Sequence, residues 1–339
     1  MKHLLVSPSP HVGSGWTTKK IMIAVIVALM PSLIASVYFY GAYPLLVAAL
    51  SVGSAILAEF IYNKVSKQPV TVSDGSAAVT GLILALCLPP VLPIYIPIIG
   101  AFFAIIVVKM LFGGIGKNFA NPAGTARIFL LLAFSSSMSK YARPVDWSQG
   151  FAEGMFSYFN GIGHNIDSIT SATPLGGAIP EGNLSELNLL DMFLGNMGGS
   201  IGEVSALAII IGGLFLIILR VIDWKVPVAV LVSATLFTLV FYQDAAYILP
   251  MLLSGGLLFG AFFMATDYAT TPNTDIGRII FGIGVGFFTI LIRKYGGYPE
   301  GASFAILLMN LTTPFIDKYI ITRPFGKKRE PKVRRRKNV

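Results

Sequence analysis

The segment Asp167-Ser168-Ile169-Thr170-Ser171-Ala172-Thr173-Pro174-Leu175 holds the residue types and spacing that point most directly to chemistry. It combines a carboxylate and several hydroxyls in the one long polar loop of an otherwise apolar chain. A hydroxyl in that setting is a candidate attachment point for a redox group. The other reading is structural, since Ser/Thr-rich loops commonly make turns. A second cluster, Thr266-Asp267-Tyr268-Ala269-Thr270-Thr271-Pro272-Asn273-Thr274-Asp275, packs hydroxyls, a phenol and two acids into one connection. Asp74-Gly75-Ser76 is its analogue earlier in the chain. Helix capping explains part of both clusters. The remainder suits a polar cofactor pocket or an ion entry. A third candidate is Gly113-Gly114-Ile115-Gly116-Lys117-Asn118-Phe119-Ala120-Asn121-Pro122, poor helix sequence at the edge of an apolar run. Gly113, Gly114, Asn118, Asn121, Asp267, Thr270 and Thr271 are accordingly candidates for a second cofactor site or an ion path. The alternative for the glycines is ordinary loops and close helix packing.

The elements that position these residues follow from composition. Of 339 residues, 55% are hydrophobic and 12% charged, and the mean hydropathy is +0.75. That is the profile of a polytopic membrane protein rather than a soluble enzyme. The first apolar run begins at Ile21, behind Lys19 and Lys20, with no small-residue cleavage pattern after it. It reads as a retained span, not a removed signal peptide. The formal charge of +9 is concentrated in the tail, where Lys327 to Lys337 carry a net +7. After a membrane span such a tail is an orientation signal that meets anionic headgroups, and nucleic acid is not the expected partner.

One cysteine, Cys87, excludes an internal disulfide and cannot hold an iron–sulfur cluster or structural zinc alone. A small buried role suits it better than a half-share of a cluster with another subunit. His3, His11 and His164 form no ligand pattern. No metal site is expected.

A hydrocarbon core about 30 Å thick needs roughly 20 apolar residues in helix. Ten stretches qualify, some short or broken: 21–40, 43–62, 76–90, 94–112, 121–136, 204–220, 226–242, 246–265, 278–293 and 302–321. None alternates as a barrel strand would. With the N-terminus inside, Lys2, Lys19, Lys20, Lys64, Lys67, Lys117, Arg220, Lys225, Arg278 and the tail fall inside. Only Lys140, Arg143, Arg293 and Lys294 fall outside. Both termini are then cytoplasmic, and the acidic 137–203 loop is extracytoplasmic. A loop of that length is functional or disordered.

The organisation expected is an all-α polytopic membrane protein: residues 1–136 as a first five-helix repeat, the 137–203 loop, residues 204–322 as a second repeat, and a basic tail, 323–339. Five spans per half force the second half to run inverted relative to the first. Gly113-Gly114 before Pro122-Ala123-Gly124-Thr125 is echoed by Gly296-Gly297 before Pro299-Glu300-Gly301-Ala302. Several helices look broken, as at Pro89-Pro90. Glu59, Glu203 and Asp267 are candidates for ion coupling, because ionisable groups at membrane depth are expensive. Solvated positions at the interface are the alternative.

The pattern Asp-x-x-[Ser/Thr]-x-Ala-Thr, filled by Asp167, Thr170, Ala172 and Thr173, resembles the sequence at which a flavin transferase esterifies the phosphate of FMN to the final Thr. Ser171 stands where Gly is usual and removes some backbone freedom. Gly195 to Ala208, Leu111 to Ala123 and Thr266 to Pro272 are also similar to segments of the RnfD/NqrB family. The resemblance covers essentially the whole chain, and its compact length fits the RnfD branch. It implies a membrane subunit of a bacterial inner-membrane Rnf complex, passing electrons between ferredoxin and NAD⁺ and coupling this to Na⁺ or H⁺ movement. It further implies covalent FMN on Thr173, a non-covalent riboflavin within the bundle, and RnfA, RnfB, RnfC, RnfE and RnfG as partners. On that reading Asp167, Thr170, Ser171 and Ala172 serve recognition by the transferase. The chain has neither a GxGxxG strand–helix unit nor a cysteine cluster, so NAD and iron–sulfur chemistry would belong to other subunits. A transporter or channel with inverted repeats and no redox group is the rival reading, and a scaffolding protein without cofactors is a third.

Overall fold

Long apolar runs satisfy their backbone in hydrocarbon only as helices, and each of the ten expected stretches contains a helix. The computed structural model describes residues 16–145, 147–156, 158, 170–171, 173–176, 179, 184, 187–297 and 300–321. The expectations for Asp167, Ala172 and the tail 323–339 fall outside those residues.

Helices α1 (Thr18–Tyr40) and α2 (Tyr43–Val65) have 23 residues each, about 35 Å at 1.5 Å per residue. Thr17 caps α1 by accepting from the Lys20 N–H at 3.4 Å. Pro44 opens α2, where the missing N–H costs nothing. Helix α3 (Ser76–Leu86) is half that length and nearly all buried, which suits a helix apolar all round. It stops at Cys87, just before Pro89-Pro90. Helix α4 (Tyr95–Phe102) runs into a π-helical segment, Phe103–Met110. Helix α5 (Pro122–Ala133) is capped by Asn121, whose side chain accepts from the Gly124 N–H at 3.1 Å.

The connecting region carries α6 (Ser135–Met138), α7 (Phe151–Phe156) and α8 (Leu189–Leu194). It also holds β1 (Tyr141–Ala142), paired antiparallel with β2 (Thr170–Ser171). The second half holds α9 (Ala206–Ile218), α10 (Lys225–Tyr242), α11 (Ile248–Leu253), α12 (Leu257–Phe259), α13 (Asp275–Tyr295) and α14 (Ala302–Tyr319). Helix α12 continues into a π-helical segment, Gly260–Met264.

By length and composition, α1, α2, α10 and α13 can each cross a membrane alone. A fifth crossing arises if the bent pair Ala245–Leu253 and Leu257–Met264, at 66°, is one span. Of the rest, α3, α4 with its π segment, α5 and α9 are apolar helices of under 18 residues, and α14 has 18 residues but carries Asp317 and Lys318 and is less apolar.

Within each half, α2 packs on α3 and α4, and α10 packs on α13. Across the halves, α1 lies along α9 and α5 along α14. Small residues permit these approaches, as usual where lipid offers no hydrophobic drive for association. A methyl at Gly212 on α9 would collide with the Ala28 carbonyl of α1. One at Gly286 on α13 would strike Ser233 of α10.

Candidate functional site

Two sites lie toward opposite ends of α1. One is a shallow cleft of about 10 Å³ at the Tyr40 end, beside Thr173. The other is a cavity at the Thr18 end. Tyr40 and Val25, which lines the cavity, are about 22 Å apart along the helix axis.

At the cleft, Thr173 is half-buried and its Oγ1 accepts from the Gly176 N–H at 3.2 Å. Its carbonyl accepts from the same N–H at 2.9 Å, closing a turn. Leu175 is buried with Ile179 and Met251 in a small satellite cluster. That leucine rests against Gly255, which sits at φ +63° in the break between α11 and α12. A side chain at Gly255 would be strained and would displace Leu175. Met197, Gly198, Gly199, Glu203 and Glu300 complete the wall around Thr173.

Long-range bonds fix this wall. The buried Tyr40 hydroxyl accepts from the Gly199 N–H at 3.0 Å and lies 3.2 Å from the Met197 and Gly199 carbonyls. The Ile201 and Gly202 N–H groups donate to the Leu88 and Leu86 carbonyls at 2.9 and 2.6 Å. They thereby satisfy carbonyls that the abrupt end of α3 leaves open. Glu203, 5% exposed, accepts from the Ser200 N–H through Oε1 at 2.8 Å.

Beneath the cleft lies a buried ionic group. Arg127 of α5 pairs with the Glu300 carboxylate and donates to Ser303 Oγ at 2.9 Å. The Tyr141 hydroxyl donates to the same carboxylate. Burial, with the Glu203 charge adding to it, pushes the Tyr141 phenol up. Arg293 of α13 donates to the Met251 carbonyl at 2.5 Å and to the Ser254 carbonyl at 3.0 Å. Those carbonyls belong to the broken end of α11. A buried guanidinium thus replaces the helix bonds that the 66° bend removes.

At the opposite end, a cavity of about 340 Å³ is walled by Ile83, Phe262 and Phe263 and edged by Ser76, Lys109, Asn118, Asn121 and Asp267. Asn121 donates to the Met264 carbonyl at 3.2 Å while capping α5. Asn118 donates to the Ala120 carbonyl at 3.3 Å. Asp267 accepts from the Ala269 N–H and the Thr270 hydroxyl, both at 3.4 Å. Its removal from water pushes its carboxyl above the usual range, against the pull of those two donors.

Behind the cavity wall is a buried polar chain. Lys109 Nζ donates to Glu59 Oε2 at 2.7 Å and to Ser76 Oγ at 2.6 Å. Thr71 donates to Glu59 Oε1 at 2.6 Å, and Asn63 to Thr71 at 3.0 Å. Asp74 accepts from the Ser76 hydroxyl and N–H at 2.6 and 2.7 Å, closing the turn just before α3, whose N-cap is Gly75.

The candidates from sequence therefore divide. Asn118, Asn121 and Asp267 meet in one cavity. Gly113 and Gly114, at φ +108° and +87°, form the turn beyond the π segment and lie off its lining. Thr270 is buried and its carbonyl accepts from Thr313 at 2.8 Å. Thr271 lines a neighbouring polar cleft with Arg220, Asp223, Trp224 and Arg278. Thr170 and Ser171 form β2, and Thr173 edges the cleft. Of the three ion-coupling candidates, Glu59 and Asp267 lie at the cavity end and Glu203 in the cleft. Residue type and spacing do not single out Lys109, Arg127, Arg293 or Glu300 for these sites. Lys109 leaves one signal, a lone charge inside an apolar run. Among the described residues no group of three His, Cys, Asp or Glu is placed to hold a metal ion. Cys87 is buried, 3.8 Å from the Met264 sulfur.

Residues 5–326 match the NQR2, RnfD, RnfE family. The chain is 42% identical over 328 residues to the D subunit of the Na(+)-translocating ferredoxin:NAD(+) oxidoreductase complex of Acetobacterium woodii, with 96% of each chain covered. It is 39% identical to the D subunit of the proton-translocating ferredoxin:NAD(+) oxidoreductase complex of Clostridium ljungdahlii, again over 96% of each. Identity to the D subunit of the ion-translocating oxidoreductase complex of Haemophilus influenzae is 41%, over 93% of this chain and 95% of the other. The chain belongs to the NQR2, RnfD, RnfE family.

Proposed function

We propose, from that membership, that this protein is the D subunit of an Rnf-type complex in the bacterial cytoplasmic membrane. It is then part of a ferredoxin:NAD⁺ oxidoreductase that moves Na⁺ or H⁺, and it works with the other Rnf subunits rather than alone. The observation that carries this reading is near-complete coverage by relatives named as the D subunits of such complexes. We further propose FMN esterified through its phosphate to Thr173, attached by a flavin transferase, and a non-covalent riboflavin in the cavity of Asn118, Asn121 and Asp267.

The chain's own residues support these assignments. Thr173 offers a hydroxyl at the rim of a cleft whose far side is the side-chain-free Gly198-Gly199. An ester there keeps the group from leaving to the outside medium. Tyr40, Arg127 and Arg293 hold the surrounding loops and the α11–α12 break still, so the attachment point does not wander. The cavity has flat apolar walls with a few amide and charged groups at its edge, and its volume falls within the range of about 300–1,000 Å³ usual for small-molecule sites. When bound, flavin supplies the redox chemistry, and the protein supplies position and electrostatics. Two sites toward opposite ends of α1 suit a relay, since hydrocarbon about 30 Å thick separates the two aqueous phases.

Ten crossings in two inverted five-helix repeats remain our reading of the bundle, with both termini cytoplasmic and the 137–203 loop extracytoplasmic. The pairings of α1 with α9 and α5 with α14, each joining like-numbered spans of the two halves, support it.

Intact mass of the protein co-expressed with its flavin transferase tests the attachment. The expected mass exceeds the polypeptide by one esterified FMN, with flavin fluorescence surviving denaturing electrophoresis. Both vanish in Thr173→Ala. A wild-type mass equal to the bare polypeptide overturns the covalent assignment.

A further inference from the structure

We infer that Lys109 is the cation that faces the ligand of the cavity and sets that ligand's reduction potential. This rests on the reading above, that the cavity takes a non-covalent flavin.

The first observation is local. Lys109 lies in the π-helical segment Phe103–Met110, and such bulges turn side chains away from where a regular helix would aim them, often at functional sites. Val107 and Leu111, on either side, are 39% and 61% exposed, whereas Lys109 is 3% exposed. A lysine at that depth on the lipid side would snorkel toward water. This one is turned inward.

The second observation is an asymmetry of charge. Lys109 and Ser76 line the cavity, while Glu59, Asn63 and Thr71 stand behind them and do not. Glu59 is wholly buried, with its oxygens engaged by Lys109 and Thr71. A ligand in the cavity therefore meets Lys109 and Ser76 before the Glu59 carboxylate. Asp267, also in the lining, turns its oxygens to Ala269 and Thr270. In a poorly polarisable cavity the nearer charge dominates, and the farther partner cancels only part of it.

The third point is energetic. An ion pair buried at this depth gives little net stability over an apolar pair of the same shape. Stability alone does not account for Lys109–Glu59 beside a cavity. Reduction would add electron density to a flavin held here, and a fixed ammonium beside it would favour the reduced form and raise the potential.

The test uses the full-length protein carrying Thr173→Ala, in which acid-extractable flavin is the only flavin expected. Its potential is read by spectroelectrochemical titration in Lys109→Arg and in the double variant Glu59→Gln/Lys109→Gln, which leaves no lone buried charge. We expect flavin retained at one per chain in all three proteins. The double variant should titrate at a distinctly more negative potential, and Lys109→Arg close to the parent. Retained flavin with an unchanged potential in the double variant overturns the role of Lys109. No extractable flavin in the parent overturns instead the assignment of flavin to the cavity.

Discussion

The cleft at Thr173 and the cavity at Lys109 stand toward opposite ends of one helix, yet they are built by different means. The cleft is assembled from loops and a broken helix, so its shape depends on side chains that replace missing backbone bonds. Arg293 takes the carbonyls of the α11–α12 break, and Tyr40 holds the 197–199 turn. The cavity is walled mainly by helix flanks, with the 115–118 and 266–269 turns closing one edge and Asn121 tying the Met264 carbonyl. A site made of irregular backbone fails when one tie is cut. A site made of helix walls loses chemistry before it loses shape.

Cutting the central tie should separate the two most sharply. Arg127→Met leaves Glu300 buried without its partner, a loss of about 3–5 kcal/mol. Thermal unfolding in detergent should show a large drop, and flavin attachment at Thr173 should fall with it. A midpoint close to wild type would mean that the cleft does not depend on this pair. Leu175→Ala removes the apolar anchor that seats the Thr173 turn on Gly255, at a cost of about 2 kcal/mol. Proteolysis at Thr173–Gly176 should become faster while the cavity end stays protected. Equal protection at both ends would mean that the turn has another anchor.

On the cavity side, Asn121→Ala removes the α5 cap and the bond to the Met264 carbonyl, for about 1 kcal/mol. Non-covalent flavin should be lost while covalent flavin on Thr173 is kept. Losing both together would break the distinction between the two sites. The smallest effect concerns Asp223, beside the cavity. Burial works against its ionisation, but the Lys225 N–H, then Arg278 and the Lys225 ammonium, hold its carboxyl below the usual range. Its contribution is full above the ordinary carboxylate pKa of about 3.9 and is lost as pH falls through the lowered value. Asp223→Asn should flatten that acid limb by under about 1 kcal/mol. An unaltered acid limb would assign it to other carboxylates.

Much of the frame is legible in the chain itself. Ten apolar runs mark ten helix-bearing stretches, and the hydroxyl-and-acid cluster ending at Thr274-Asp275 holds the cap of α13, where Thr274 accepts from the Gly277 N–H. Asn118, Asn121 and Asp267 group by residue type in the sequence, and the fold brings them to one cavity. The ion pairs are not legible. Arg127 and Glu300 are distant in sequence, and nothing local in either segment names the other. Lys109 sits where apolar periodicity predicts a lipid-facing or core residue, and only the π turn decides which. The angle at Ser254-Gly255-Gly256 is also hidden, because a run of apolar residues reads alike whether the rod is straight or bent.

The seam between α1 and α9 has a mechanical consequence. With the Ala28 carbonyl seated where Gly212 lacks a side chain, one helix cannot creep along the other. It must stay in register or jump by a full turn of about 5.4 Å. Because this seam joins the two halves, the close fit at Gly212 resists sliding of one lobe along the other.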